Sequence, residues 1–145
     1  MLKKKLNFFK PDTSNPIEIP MLDVGIKAGF PSPAADFEEQ RISLDHYLIK
    51  NTESTFFAKA SGDSMINAGI NDGDLLVIDR SLEPKNNAIA VCYIDGEFTV
   101  KRIKKTKDKL FLKPENEEYK SIEITLDNNL IIWGIVTYVI KKINN

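Results

Sequence analysis

From Thr55 onward the chain is a succession of short apolar runs broken by turn residues, a pattern that leaves room for little but a β fold. Thr55–Ala60 reads as a strand. Leu75–Asp79 is a short apolar run entered through the turn cluster Asn71-Asp72-Gly73-Asp74. Ala88–Ile94 is another strand, and the Asp95-Gly96 that follows it is a strong two-residue hairpin signal. Glu97–Lys104 is the returning arm. Phe98, Val100 and Arg102 share one of its faces, while Thr99, Lys101 and Ile103 share the other. Leu110–Lys113, Ser121–Ile124 and Leu130–Lys141 complete the series. The last is apolar on both faces through Ile140, which in a strand means burial on both sides, by its own sheet or in part by a second copy. The expectation is a mostly β body of short, mainly antiparallel strands.

The first 36 residues read differently. They hold Pro11, Pro16, Pro20, Pro31 and Pro33, five of the chain's seven prolines. Each removes a backbone donor and biases its predecessor toward extended geometry, so regular helix is not expected. An extended N-terminal arm, residues 1–36, is expected ahead of a β domain of residues 37–145. Ile17, Ile19, Met21, Leu22, Val24 and Ile26 give the arm apolar side chains with which to dock on a folded body. The stretch AGFPSPAAD, Ala28 to Asp36, is small and Pro-rich, hence extended and exposed, as a protease needs of a segment it binds as a strand. A short helix is expected over Ser43–Ile49, with Ser43 as its cap and Leu44, Tyr47 and Leu48 as its apolar face. His46 lies on it as a surface or half-buried residue.

Composition then removes function classes. The 145 residues suit one ordinary domain, and 42% apolar residues suffice for a core. Twenty Lys+Arg against 21 Asp+Glu leave a net charge of −1, which argues against a dedicated phosphate-backbone binder. Lys3, Lys4, Lys5 and Lys10 read as a solvated end rather than a nucleic-acid patch. One Cys permits no internal disulfide and suits a reducing compartment. Cys92, between Val91 and Tyr93 in a strand, reads as buried and inert. One His and one Cys exclude the usual zinc-ligand sets, so no metal or other cofactor is expected. Neither a signal-peptide stretch nor a window approaching the roughly 18 apolar residues of a membrane span occurs, which makes the cytoplasm the expected location.

Two positions stand out chemically. Ser64 follows a strand in a turn carrying Gly62, where a small residue lets backbone amides approach a ligand. Lys101 lies in a strand among apolar and β-branched neighbours. If its face is inward, burial disfavours the ammonium and leaves an amine able to act as a base. Serine with a lysine base is a known variant of the nucleophile-plus-base arrangement. On the residues alone the bland readings also stand: Ser64 as a turn or cap residue, and Lys101 as a solvated hairpin lysine.

Read together, the blocks say more. KASGDSM at Lys59–Met65 and DGEFTVK at Asp95–Lys101, with AGFPSPAAD at Ala28–Asp36 and QRISLDHYLI at Gln40–Ile49, closely resemble the self-cleaving UmuD/LexA-type Ser-Lys proteases. The resemblance spans roughly Ala28 to Lys141, and the serine and lysine blocks stand in the family's order and separation. It implies a LexA/UmuD/signal-peptidase-like β body. It further implies Ser64 as nucleophile, Lys101 as base, the Asp63 and Ser64 amides as oxyanion hole, and Ala28–Gly29 as the scissile bond. UmuD-like members often carry Cys before that glycine, whereas LexA-like repressors carry Ala, as here.

The same resemblance implies that residues 1–28 are removed, that the RecA–single-stranded-DNA filament stimulates the cut, and that the protein is a homodimer. Fewer than 30 residues precede the cleavage segment, too few for the helical DNA-binding domain of a LexA-type repressor, and the prolines oppose one. The resemblance therefore favours a UmuD-like part in SOS mutagenesis: the trimmed dimer would serve a UmuC-like, error-prone Y-family polymerase, without direct DNA contact. A LexA-like repressor fragment, a signal-peptidase-like enzyme and a non-catalytic binding module are the alternatives.

Overall fold

The structure, a computed structural model, describes residues 8–22 and 39–144, with 18–22 and 39–40 described as backbone. The Ala28–Gly29 bond and AGFPSPAAD lie outside the described residues. In chain order the elements are β1 (Phe8–Phe9), β2 (Glu18–Leu22), β3 (Glu39–Ser43), α1 (Leu44–Leu48), β4 (Thr55–Lys59), β5 (Leu75–Asp79), β6 (Ile89–Ile94), β7 (Glu97–Lys105), β8 (Leu110–Lys113), β9 (Ile122–Ile124) and β10 (Leu130–Ile140). A 3-10 turn covers Ile66–Ala68. The chain divides into two compact units, one of residues 51–144 with 8–11, the other of residues 12–50.

The larger unit is an eight-stranded sheet in the order β1-β4-β5-β10-β6-β7-β8-β9, with antiparallel pairing throughout. The expected mostly antiparallel β body is what forms. Strand alternation builds its core on both faces. In β6, Val91 belongs to one cluster with Ala58, Met65, Leu76 and Ile78, while Ala90, Cys92 and Ile94 belong to a second with Ile103 and Leu112. A strand buried on both sides has no polar face to show, hence the run IAVCYI. The hairpin between β6 and β7 turns at Asp95 (φ 48°) and Gly96 (φ 87°), both left-handed, as a two-residue turn matched to the strand twist requires.

β10 lies between β5 and β6, which explains why its middle is apolar on both faces. Burial on both faces does not reach its ends: Ile131 is 58% and Ile140 40% exposed. Register shifts between Ile132 and Gly134 and between Val136 and Tyr138 mark two bulges. At the first bulge Arg80 Nε donates to the Trp133 carbonyl at 3.0 Å, and its guanidinium stacks 4.4 Å over the Trp133 ring. Phe8, from the Pro-rich start of the chain, packs on Trp133 and Phe98 at centroid distances of 4.2 and 4.9 Å. β1 thereby joins the sheet edge.

In the smaller unit β2 and β3 form an antiparallel pair, and α1 follows at once. The helix stands where expected, but its expected cap and apolar face do not form. Ser43 makes no capping bond, and its hydroxyl is buried without a partner. Ser43 is the last residue of β3, paired with Glu18, so the ladder rather than the helix sets its position. Leu44 and Tyr47 are about half exposed, at 50% and 48%. His46 is exposed. Among the described residues no helix is long and apolar enough to cross a membrane.

Asp79, at the end of β5, is 5% exposed. Burial alone would push its carboxyl up. Hydrogen bonds from the Ser81 hydroxyl and amide, the Ser54 hydroxyl and the Asn51 amide outweigh that and hold it below the ordinary aspartate value. Two predictions follow from this packing. A Cβ added at Gly134 would meet the Ile78 Cγ2 methyl at 2.6 Å. Gly134→Ala is therefore expected to destabilise the protein by about 1–3 kcal/mol in denaturant titration; an unchanged midpoint would contradict the packing. The depressed Asp79 pKa contributes stability that is present above the unfolded value, near 3.8, and lost as pH falls through the folded value. Asp79→Asn should be less stable than wild type at neutral pH, and the gap should narrow in thermal melts below about pH 4.

Candidate active site

Ser64 is displayed by a turn whose two ends are fixed. At the β4 end, the Ala60 amide donates to the Asp74 carbonyl and the Gly73 amide to the Ala60 carbonyl, both at 2.8 Å. Gly62 then reverses the chain at φ 86°, a conformation that disfavours any side chain, and its amide donates to Asp72 Oδ1 at 2.7 Å. Beyond Ser64, Met65 drops into the core at 3% exposure and the 3-10 turn closes, with the Ile66 amide donating to the Asp63 carbonyl at 3.3 Å. The serine is the residue between a glycine turn and a buried anchor.

Lys101 comes from β7, paired there with the fully buried Ala90 of β6. Its Nζ lies 3.1 Å from Ser64 Oγ, 2.7 Å from Thr99 Oγ1 and 3.1 Å from the Val100 carbonyl oxygen. An ammonium can donate one proton to each of these acceptors. A neutral amine can keep its two N–H bonds on Thr99 and Val100 and turn its lone pair to the serine hydroxyl, which then donates. Burial pushes the Lys101 pKa below the ordinary lysine value, opposed only by the weak influence of Cys92. No carboxylate lies within ion-pair distance of Lys101 among the described residues. Cys92 is fully buried, and burial pushes its thiol up to about 11, so it stays protonated beside the lysine.

Ser64 opens on a cleft of about 230 Å³ lined also by Ser61, Gly62, Met65, Phe98 and Val100. β8 pairs only with Arg102–Lys105 of β7, so among the described residues the Phe98–Lys101 edge has no strand partner on that side. A strand edge open beside a serine and a half-buried lysine can take an extended peptide by backbone pairing.

The residues not found from the sequence come from the loop after β8. Asn116, 8% exposed, donates from Nδ2 to the Asp63 carbonyl at 2.8 Å. The Tyr119 hydroxyl donates to Asp63 Oδ1, which holds the phenol above the ordinary tyrosine value. The Asn67 amide donates to the Glu115 carbonyl at 2.8 Å, and Arg102 Nε meets Glu115 Oε1 at 2.5 Å. These residues are about fifty positions from Ser64 and sit in a polar loop, PENEEY, that carries no local signal of a site. Asp63 and Ser64, expected as amide donors, are both in this turn. Among the described residues neither amide donates to a backbone carbonyl.

A family profile described as Peptidase S24-like matches residues 20–137. Protein ImpA of Salmonella typhimurium is 43% identical over 118 residues, covering 80% of this chain and 79% of the relative. Protein MucA of Escherichia coli is 38% identical over 136 residues, 92% of each chain. A LexA repressor of Shewanella halifaxensis is 38% identical over 118 residues, 81% of this chain and 57% of the repressor. The resemblance drawn from the serine and lysine blocks thus extends over most of the sequence, and the chain belongs to the Peptidase S24-like family, as a protein of the UmuD type.

Proposed function

We propose that this protein is a UmuD-like SOS-response protein that cuts its own chain between Ala28 and Gly29 with Ser64 as nucleophile and Lys101 as base. The observation that carries this reading is the 3.1 Å approach of Lys101 Nζ to Ser64 Oγ, with the lysine half-buried and its pKa lowered. Ser64 Oγ attacks the Ala28 carbonyl carbon as its proton passes to Nζ. The tetrahedral oxyanion is met by the Asp63 and Ser64 amides, donors aimed at charge that develops only then. Collapse breaks the Ala28–Gly29 bond, and the proton on Nζ goes to the departing Gly29 nitrogen. Water then gives a proton to Nζ and its oxygen to the acyl carbon, and Ser64 recovers its proton from the lysine as the ester breaks. The small side chains of Ala28 and Gly29 suit a narrow cleft.

Residues 1–36 are in this reading the arm that bears the substrate, and 37–145 the body that cuts it. Tethering makes the encounter effectively unimolecular, so little intrinsic affinity is needed. Control then lies in a mostly noncompetent state, which the RecA–single-stranded-DNA filament shifts by favouring the competent one. The trimmed cytoplasmic homodimer serves as accessory subunit to a UmuC-like, error-prone Y-family polymerase in translesion synthesis.

Three outcomes test the reading. Purified protein held at alkaline pH, or with activated RecA filament, is expected to yield residues 29–145 by mass spectrometry, and Ser64→Ala and Lys101→Ala to remain intact. An intact wild type under both conditions removes the protease. Because the deprotonated Lys101 is the active form and burial lowers its pKa, the cleavage rate should rise with pH to a plateau whose midpoint lies below 10.5. A flat profile contradicts the lysine base. The trimmed form should co-purify with a UmuC-like polymerase; failure to do so, together with operator binding, would point to a LexA-like repressor fragment.

A further inference from the structure

We propose that Asn116 is a positioning residue for the Ser64 amide: by holding the Asp63 carbonyl it fixes the peptide plane whose N–H meets the oxyanion. The inference rests on the assignment of Ser64 and Lys101 above and deepens it. The Asp63 carbonyl and the Ser64 N–H belong to one planar peptide, and in a trans peptide they point in opposite directions. Whatever holds the carbonyl therefore aims the amide. Asn116 Nδ2 donates to that carbonyl at 2.8 Å, closer than the 3.3 Å of the Ile66 amide.

The asparagine is itself held. Its Oδ1 accepts from the Glu118 amide at 3.0 Å, so both ends of the side-chain amide are used and its orientation is determined. At 8% exposure, water competes weakly for either end. A donor on a carbonyl oxygen also polarises the peptide and strengthens the N–H at its other end. If the 63–64 peptide flipped, the carbonyl dipole would face the position where negative charge develops.

The loop that carries Asn116 also registers the two halves of the site. Glu115 meets Arg102, the residue after Lys101, and through its carbonyl holds Asn67 beyond Ser64. Asn116 then closes the link onto the nucleophile turn. A merely structural asparagine would stabilise the loop; this one sets a catalytic donor, and the two roles separate kinetically.

The test uses the full-length chain at alkaline pH. Asn116→Asp keeps the acceptor for the Glu118 amide but sets an oxygen against the Asp63 carbonyl, and Asn116→Ala removes both bonds. At temperatures where circular dichroism shows each variant folded, the plateau rate should fall about 10- to 100-fold, less than the loss from deleting an oxyanion donor outright. In Asn116→Ala, which adds no charge, the pH midpoint, which belongs to Lys101, should not move. Plateau rates within about twofold of wild type overturn the inference, and so does a shifted midpoint with an unchanged plateau. If neither variant folds, a through-hydrogen-bond scalar coupling between the Asn116 side-chain nitrogen and the Asp63 carbonyl carbon, measured in the wild type, decides instead: its presence supports the strut, its absence overturns it. A wild type that does not cut itself, or a Ser64→Ala protein that still does, removes the parent reading and this inference with it. Cleavage by wild type alongside undiminished Asn116 variants removes only the inference.

Discussion

A buried amine is in an unfavourable state while it carries a proton unless a carboxylate compensates it, and among the described residues none lies within ion-pair distance of the half-buried Lys101. The β6 ladder holds the backbone of β7 at Lys101, paired there with the fully buried Ala90. Thr99 and Val100 of the same strand supply acceptors for its N–H bonds, which makes burial tolerable without making the charge favourable. A carboxylate partner would reverse the balance and fix the ammonium. Burial raises the Cys92 thiol to about 11, and its influence on Lys101 is smaller than that of burial.

The serine is managed differently. Its turn is not part of the sheet, so its position comes from contacts at its margins: Asp72 on the Gly62 amide, the Met65 anchor, and the loop after β8. Rigid sheet holds the base and a clamped turn holds the nucleophile. Loop residues tie the two together, since Glu115 touches both the strand of Lys101 and the turn of Ser64. This division places precision on backbone hydrogen bonds, which tolerate little displacement before weakening.

The strands were legible because each is a short apolar run with turn chemistry at its ends. From Thr55 onward, Leu75–Asp79 and Leu110–Lys113 fall at the expected bounds and the other strands differ by a residue at an end, whereas the β2–β3 pair was not expected. β1 was not foreseen, because Phe8-Phe9 in a Pro-rich arm has no strand period of its own and pairs only because Trp133 and Phe98 offer it an apolar seat. The cap at Ser43 was misread because a residue that ends a strand obeys the ladder first. Asn116 had no local signature at all: its meaning lies in a carbonyl fifty-three positions away.

The sequence by itself determined the β class, the hairpin at Asp95-Gly96, the glycine turn at Ser64 and, through the ordered serine and lysine blocks, the family. These are properties of neighbours along the chain: alternation of side chains, left-handed turns, and residue types at fixed spacing. The tertiary structure alone decided that Lys101 reaches Ser64, that among the described residues no carboxylate lies within ion-pair distance of it, and that Asn116 holds the peptide before the serine. Each of these joins residues far apart in sequence, and their distance and desolvation exist only once the strands are paired and the loop after β8 has closed over the turn.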